Sequence, residues 1–144
     1  MNTAYEKSRE RSTGFQERDL SIPADLAMLS DAREWAAGAA SDFGMAEQET
    51  FEIKLATSEA VTNAIVYGTQ TQRDSISLEA RREGDALVFE VRDPGGDEPR
   101  RAPHAPDEGG RGLELMEMVM DEVELIRRPD GSVLRFAKRR SQAA

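Results

Sequence analysis

From about Ala46 to Tyr67 the chain carries a single helical segment whose second half, Ala56 to Tyr67, is apolar on most sides. A helix of that kind is buried rather than laid on a surface, so the other elements have to pack around it. Glu47 and Glu49 suit its positive N-terminal end, and Gly68 marks its stop. Ahead of it, Leu26, Leu29, Ala32, Ala36, Ala39 and Phe43 recur at steps of three and four, the buried stripe of another helix that Gly44 ends. Pro23 reads as an early position of that helix, with Ser21 as a nearby cap. Phe15 to Ile22 alternates imperfectly, as a first strand would.

Beyond Gly68 the period changes from helical to alternating. Ile76, Leu78 and Ala80 face one way, as do Leu87, Phe89 and Val91, and Glu83-Gly84-Asp85 between the two runs predicts a hairpin. Asp93 to Arg111 has no periodicity and is rich in Pro and Gly; loops of that length in a compact domain are usually functional or mobile. Gly112 to Met120 reads as a third helix, with Leu113, Met116 and Met120 on one face. Glu122–Arg127 and Ser132–Ala137 form a second hairpin around Pro129-Asp130-Gly131. The order predicts an α/β (α+β) two-layer sandwich, a mixed, mostly antiparallel sheet covered on one face by about three helices. Residues 15–140 are expected to form one domain, with 1–14 as a flexible arm and 141–144 as a tail.

The bulk composition removes several function classes. A length of 144 residues suits one domain able to bury a core without staples. With no cysteine and one histidine, disulfides, thiolate zinc sites, cysteine nucleophiles and multi-histidine metal sites are all excluded. No apolar run approaches the roughly 18 residues that span a bilayer, and the polar start Met1–Arg11 shows no secretory signal. The expected compartment is the cytoplasm, with no membrane partner. A net charge of -9 argues against direct nucleic-acid binding, which needs a basic footprint. That charge keeps the chain soluble, and it would also draw in a basic protein partner.

Three small constellations carry candidate chemistry. Glu59 and Asn63 lie four apart on the buried helix, so they project from one face. Two readings are open for them. They are either a buried polar pair bridging neighbouring elements or the wall of a polar cavity, where Asn63 could hold a hydrated Mg²⁺ and Glu59 could orient or deprotonate a hydroxyl. Asp93-Pro94-Gly95-Gly96 follows a strand; it is either an ordinary turn or a place where a ligand reaches the backbone and Asp93 accepts a hydrogen bond from an exocyclic amine. Gly109-Gly110-Arg111-Gly112-Leu113 precedes the third helix, as a flexible loop or as an anion site built from free N–H groups, with Arg111 as a charged donor.

In order and spacing, E-x-x-x-N-A on a helix, D-x-G after a strand, a long loop and then G-R-G-L resemble the ATP-binding fold shared by gyrase, the histidine kinases and MutL. Within that group, Ser58-Glu59-Ala60-Val61-Thr62-Asn63-Ala64, the Pro23-Ala24-Asp25 helix start and the short length look most like the anti-sigma-factor serine kinases, over roughly Ser21 to Ala137. The resemblance implies ATP and Mg²⁺ as cofactors and a protein serine/threonine kinase activity. Carried onto this chain, it makes Asn63 the Mg²⁺ ligand, Glu59 the catalytic base and Asp93 the adenine contact, with Gly95 giving room for the ring. Gly110, Arg111, Gly112 and Leu113 would line the phosphates under an Asp97–Gly109 lid. It also implies two partners, a sigma factor that the protein sequesters and an anti-anti-sigma (STAS-type) antagonist that it phosphorylates, and a homodimer.

The chain departs from that pattern in three places. Asp97 stands where a second glycine is usual, Glu114 where a further one is common, and Tyr67 where many relatives have His. Asp97 and Glu114 motivate an alternative, an interaction module of the same fold that needs nucleotide only structurally or not at all; a third reading takes the glycine motifs as turns alone. Among the remaining residues, His104 reads as a solvated loop residue, Trp35 as packing, Met116 and Met120 as core, and Lys138-Arg139-Arg140 as a solvated basic end.

Overall fold

The computed structural model describes the backbone of residues 15–95 and 106–141, and the side chains of all of these except 106–111. The elements run in the order β1 (Arg18–Pro23), α1 (Leu29–Phe43), α2 (Glu47–Gly68), β2 (Ser75–Glu83), β3 (Ala86–Asp93), α3 (Pro106–Val119), β4 (Glu122–Arg128) and β5 (Gly131–Arg139), with a 3-10 turn at Leu26–Met28 entering α1. The strands lie side by side as β1-β2-β3-β5-β4, and all four pairings are antiparallel. The expected mixed sheet is thereby corrected. β3 and β4 run in the same direction across the α3 connection, but β5 lies between them, so no parallel pair forms.

Alternation along the strands sorts the sheet into two faces. Ile22, Ile76, Leu78, Leu87, Phe89, Val91, Leu134 and Phe136 belong to one buried cluster with α1 and α2. Phe89 stacks on Phe136 with ring centroids 5.2 Å apart, and Trp35 meets Phe89 edge-on at 6.1 Å, so Trp35 is packing as expected. Met116 and Met120 are also buried, whereas Met118 is exposed.

Local chemistry explains where several boundaries fall. Pro23 does not open α1; it closes β1 opposite Ser75, where an edge strand tolerates a residue without an N–H. The cap is Asp25, which accepts the Ala27 N–H at 2.9 Å, and not Ser21. β1 starts at Arg18 instead of Phe15, and Phe15 is a core residue set edge-on to Phe43 at 5.8 Å. Gly44 ends α1 at φ +91°, its N–H bonded to Ala40 and Ser41. Ala46 has no side chain to cap α2, so Glu49 accepts the Ala46 N–H at 2.7 Å. α3 begins at Pro106, six residues before the expected Gly112, with proline at its first position and Asp107 and Glu108 next in sequence, types suited to a helix N-terminus. Gly109, Gly110 and Gly112 therefore lie within the helix and do not open it.

The basic C-terminal end also departs from expectation. Arg140 donates to the Phe43 carbonyl at 2.7 Å and lies over the Phe43 ring, and Lys138 is largely buried; neither is simply solvated. The arm at 1–14, Gly96 and Asp97, the lid as far as residue 105, and His104 lie outside the described residues.

The other sheet face is polar. Arg81 and Arg92 both bond Glu90, at 3.1 and 2.6 Å, over the buried side chains of Val88 and Val133. Burial pushes the Glu90 carboxyl up, but the hydrogen bonds and charges of Arg81 and Arg92 outweigh it and hold the group below its ordinary range. A depressed carboxylate contributes stability that is complete above the unfolded value of about 4.3 and lost as the pH falls through the folded value. Glu90→Gln is therefore expected to lower stability at pH 7, with the gap to the unaltered protein narrowing at an acid pH well below about 4.3. Urea unfolding at both pH values checks this, and an equal gap at the two would contradict it.

Candidate functional site

α2 builds the floor of the site. Ile53, Ala56, Ala60, Val61, Ala64 and Ile65 are buried along it, and the hydroxyls of Thr57 and Thr69 are satisfied by the carbonyls of Ile53 and Ile65 at 2.8 and 2.7 Å. Glu59 and Asn63 leave this apolar surface on a common face, each half-buried. Neighbouring Ser58 is engaged by Arg33 of α1 at 3.2 Å, but among the described residues no hydrogen bond or ion pair engages Glu59 or Asn63.

Opposite them stands Gly112. A Cβ there would come 3.0 Å from Glu59 Oε1 and 3.5 Å from Asn63 Nδ2, so α3 presents bare backbone to the pair. Leu113 turns towards the core, while Glu114 is exposed, on the far side of the helix from Gly112. The structure thus brings Glu59, Asn63, Gly112 and Leu113 together. Gly110 is helical, and the Arg111 side chain is outside the described residues.

Asp93 and Gly95 form a second group at the C-terminal end of α2. The Gly95 N–H donates to the Gly68 carbonyl at 3.1 Å, and Asp93 accepts the Ser132 N–H at 3.3 Å. A Cβ on Gly68 would fall on the Asp93 carboxyl, and one on Gly95, itself at φ +61°, would strike the Gly131 backbone. The Asp93-Pro94-Gly95 turn is threaded between the end of α2 and the β4–β5 hairpin. Gly68 lies nine positions after Glu59 and five after Asn63 on α2, so the two groups stand about 8–14 Å apart along the helix. The roles of Gly68 and Gly131 were not visible in the sequence, where each reads only as punctuation. A glycine closing a helix directly after Tyr67 was the one available signal.

The histidine kinase-like ATPase domain family matches residues 22–138, which span both groups. The chain belongs to this family. As a histidine kinase-like ATPase domain it is 30% identical over 121 residues to the serine-protein kinase RsbW of Bacillus subtilis, covering 74% of this chain and 76% of that protein. It is 32% identical over 119 residues to the anti-sigma F factor of Thermoanaerobacter sp. strain X514, covering 76% and 83%. Among solved structures, the RsbU and RsbW domains of a Mycobacterium tuberculosis protein share its fold with a TM-score of 0.71 at 20% identity, over 90% of this chain and 34% of that one. No helix among the described residues of this ATPase-family chain is long and apolar enough to cross a membrane.

Because Gly68 leaves no space for a methyl group beside Asp93, Gly68→Ala must displace that carboxylate and its bond to Ser132. Overpacking of this kind costs about 1–3 kcal/mol. Chemical denaturation should show the loss, while Gly38→Ala, with nothing near its added methyl, should show none. Equal stability of the two variants would contradict the close contact.

Proposed function

We propose that the chain is an anti-sigma factor and a Mg-ATP-dependent serine kinase, which holds a sigma factor and phosphorylates an antagonist of the STAS type on Ser or Thr. The observation that carries this reading is the Glu59–Asn63 pair, half-buried, without a partner among the described residues and facing the bare backbone of Gly112. A carboxylate and a carboxamide left so in an apolar helix are costly unless the space beside them is polar. Gly112, which has no side chain, lets the α3 backbone lie close to the pair, which supports a shared site over a side-chain bridge. The likeness to a serine-protein kinase points to ATP as the ligand of that site.

On this reading each residue has a separate task. Asp93, fixed by Ser132 and Gly68, accepts a hydrogen bond from the adenine amine, and Gly95, packed flat against Gly131, keeps a side chain out of that turn. Gly110, Arg111, Gly112 and Leu113 line the phosphates. The Asn63 side-chain oxygen would hold Mg²⁺, an ion that takes oxygen ligands. Bound Mg-ATP would supply the phosphoryl group for transfer. Glu59 holds the serine hydroxyl of the substrate and takes its proton as the oxygen attacks, a sparse set that suffices because phosphoryl transfer rests on positioning and charge neutralisation. Glu114, pointing to solvent, does not oppose the phosphates, which removes one motive for the interaction-module alternative. The working form is a cytoplasmic homodimer.

Calorimetric titration of the purified chain with ATP, with and without Mg²⁺, tests the site. Asn63→Ala is expected to abolish the Mg²⁺-dependent part of binding, and Asp93→Asn to abolish binding altogether. Glu59→Ala should keep ATP binding and lose roughly 10²–10⁴-fold in transfer to the antagonist. Absence of binding at millimolar nucleotide, or undiminished transfer in Glu59→Ala, would overturn the reading.

A further inference from the structure

One wall of the site belongs to α3, so whatever fixes α3 against α2 bears on the site. Besides Met116, buried between the layers, α3 has one polar anchor among the described residues. Lys138 Nζ on β5 donates to the Val119 carbonyl at 2.6 Å and to the Glu52 carboxylate of α2 at 2.8 Å. Lys138 stands opposite Leu87 in the register, on the helix-facing side of the sheet, and its side chain is 12% exposed. An ammonium in that layer is costly unless fully engaged, and here one group joins three elements. It also lies at the negative end of the α3 dipole, where a cation is favoured.

The spacing gives the contact its meaning. Glu52 lies seven residues before Glu59 on α2, and Val119 seven residues after Gly112 on α3. The helices are therefore antiparallel and are pinned at two points about 10 Å apart, the Lys138 bridge at one and the Gly112–Glu59 contact at the other. With the first pin removed, α3 can pivot about Met116, and the approach of Gly112 to the Glu59–Asn63 pair changes.

Resting on the nucleotide site argued above, we infer that Lys138 is a positioning residue: by tying Val119 to Glu52, it sets how α3 presents Gly112 and the phosphate-lining backbone to Glu59 and Asn63. It touches no nucleotide itself. Its effect on affinity passes through the helix.

The test is calorimetric titration of Mg-ATP into the full chain and into Lys138→Met, Lys138→Arg and Glu52→Gln, with amide hydrogen exchange followed over residues 112–119. Misplacement of a site wall by a fraction of an ångström to 1 Å is felt strongly, so Lys138→Met is expected to bind about ten-fold more weakly and to exchange faster along α3. Lys138→Arg, whose guanidinium can engage both acceptors, should stay within about three-fold of the unaltered protein. If Lys138→Met lowers the melting temperature while binding Mg-ATP within about two-fold of normal, Lys138 is a packing residue only and the inference fails. Should Lys138→Met not fold, Glu52→Gln, which keeps the shape and removes the charge, decides by the same affinity criterion. If the unaltered chain binds no Mg-ATP, the nucleotide reading itself has failed and the inference falls with it; that result is distinct from a lysine without effect.

Discussion

No methyl group fits between Gly68, the last residue of α2, and Asp93, the last residue of β3. That single approach ties the central helix to the central strand, and the next two residues extend it. Gly95 bonds back to the Gly68 carbonyl and lies flat against Gly131, where β5 begins. Three sequence-distant segments converge on a few backbone atoms, and only glycine permits each approach. A side chain at any of the three would push α2 away from the sheet and carry Glu59 and Asn63 with it.

The same economy of volume runs along the helix interface. α1 contributes Ala32, Ala36, Ala39 and Ala40 to the buried layer, and α2 contributes Ala56, Ala60 and Ala64. Small residues let helix axes come to the near end of the usual 8–10 Å separation. The dispersion and apolar burial of the domain then come mainly from the larger groups beneath, Phe43, Phe89, Phe136 and Ile53. A helix held this firmly can carry two polar side chains on one face without losing its place. This is why a carboxylate and a carboxamide can sit at the core's edge with no partner among the described residues.

What the sequence revealed follows the range of each interaction. α2 was legible because its pattern is local, and Glu59 with Asn63 because four residues always return to one helix face. Both hairpins were legible from Gly84-Asp85 and Pro129-Asp130. Pairing of β5 with β3 ahead of β4 was not, since no local residue encodes which strand a hairpin offers to the sheet. Pro23 was misplaced because proline suits both a strand end and a helix start, and neighbours decide between them. Lys138 was read as solvated because its partners lie 86 residues back in Glu52 and 19 back in Val119, beyond any periodic signal. The start of α3 was missed because the glycines, which usually mark loops, are here carried inside a helix behind Pro106.

The two ends of the site are thus built from different materials. Around Asp93 the geometry is fixed by backbone against backbone, where displacement means collision or a lost main-chain hydrogen bond. Around Gly112 it depends on a helix seated by the side chains of Met116, Leu113 and Val119 and by one ammonium, interactions that side chains make and can remake. On the proposed reading, the first end grips the invariant part of the nucleotide and the second faces the phosphates, whose number and charge change in each catalytic cycle. A site that must hold ATP and then release ADP gains from rigidity at the base and compliance at the phosphates. In this chain, that division follows from which contacts are made by glycine backbone and which by the side chain of Lys138.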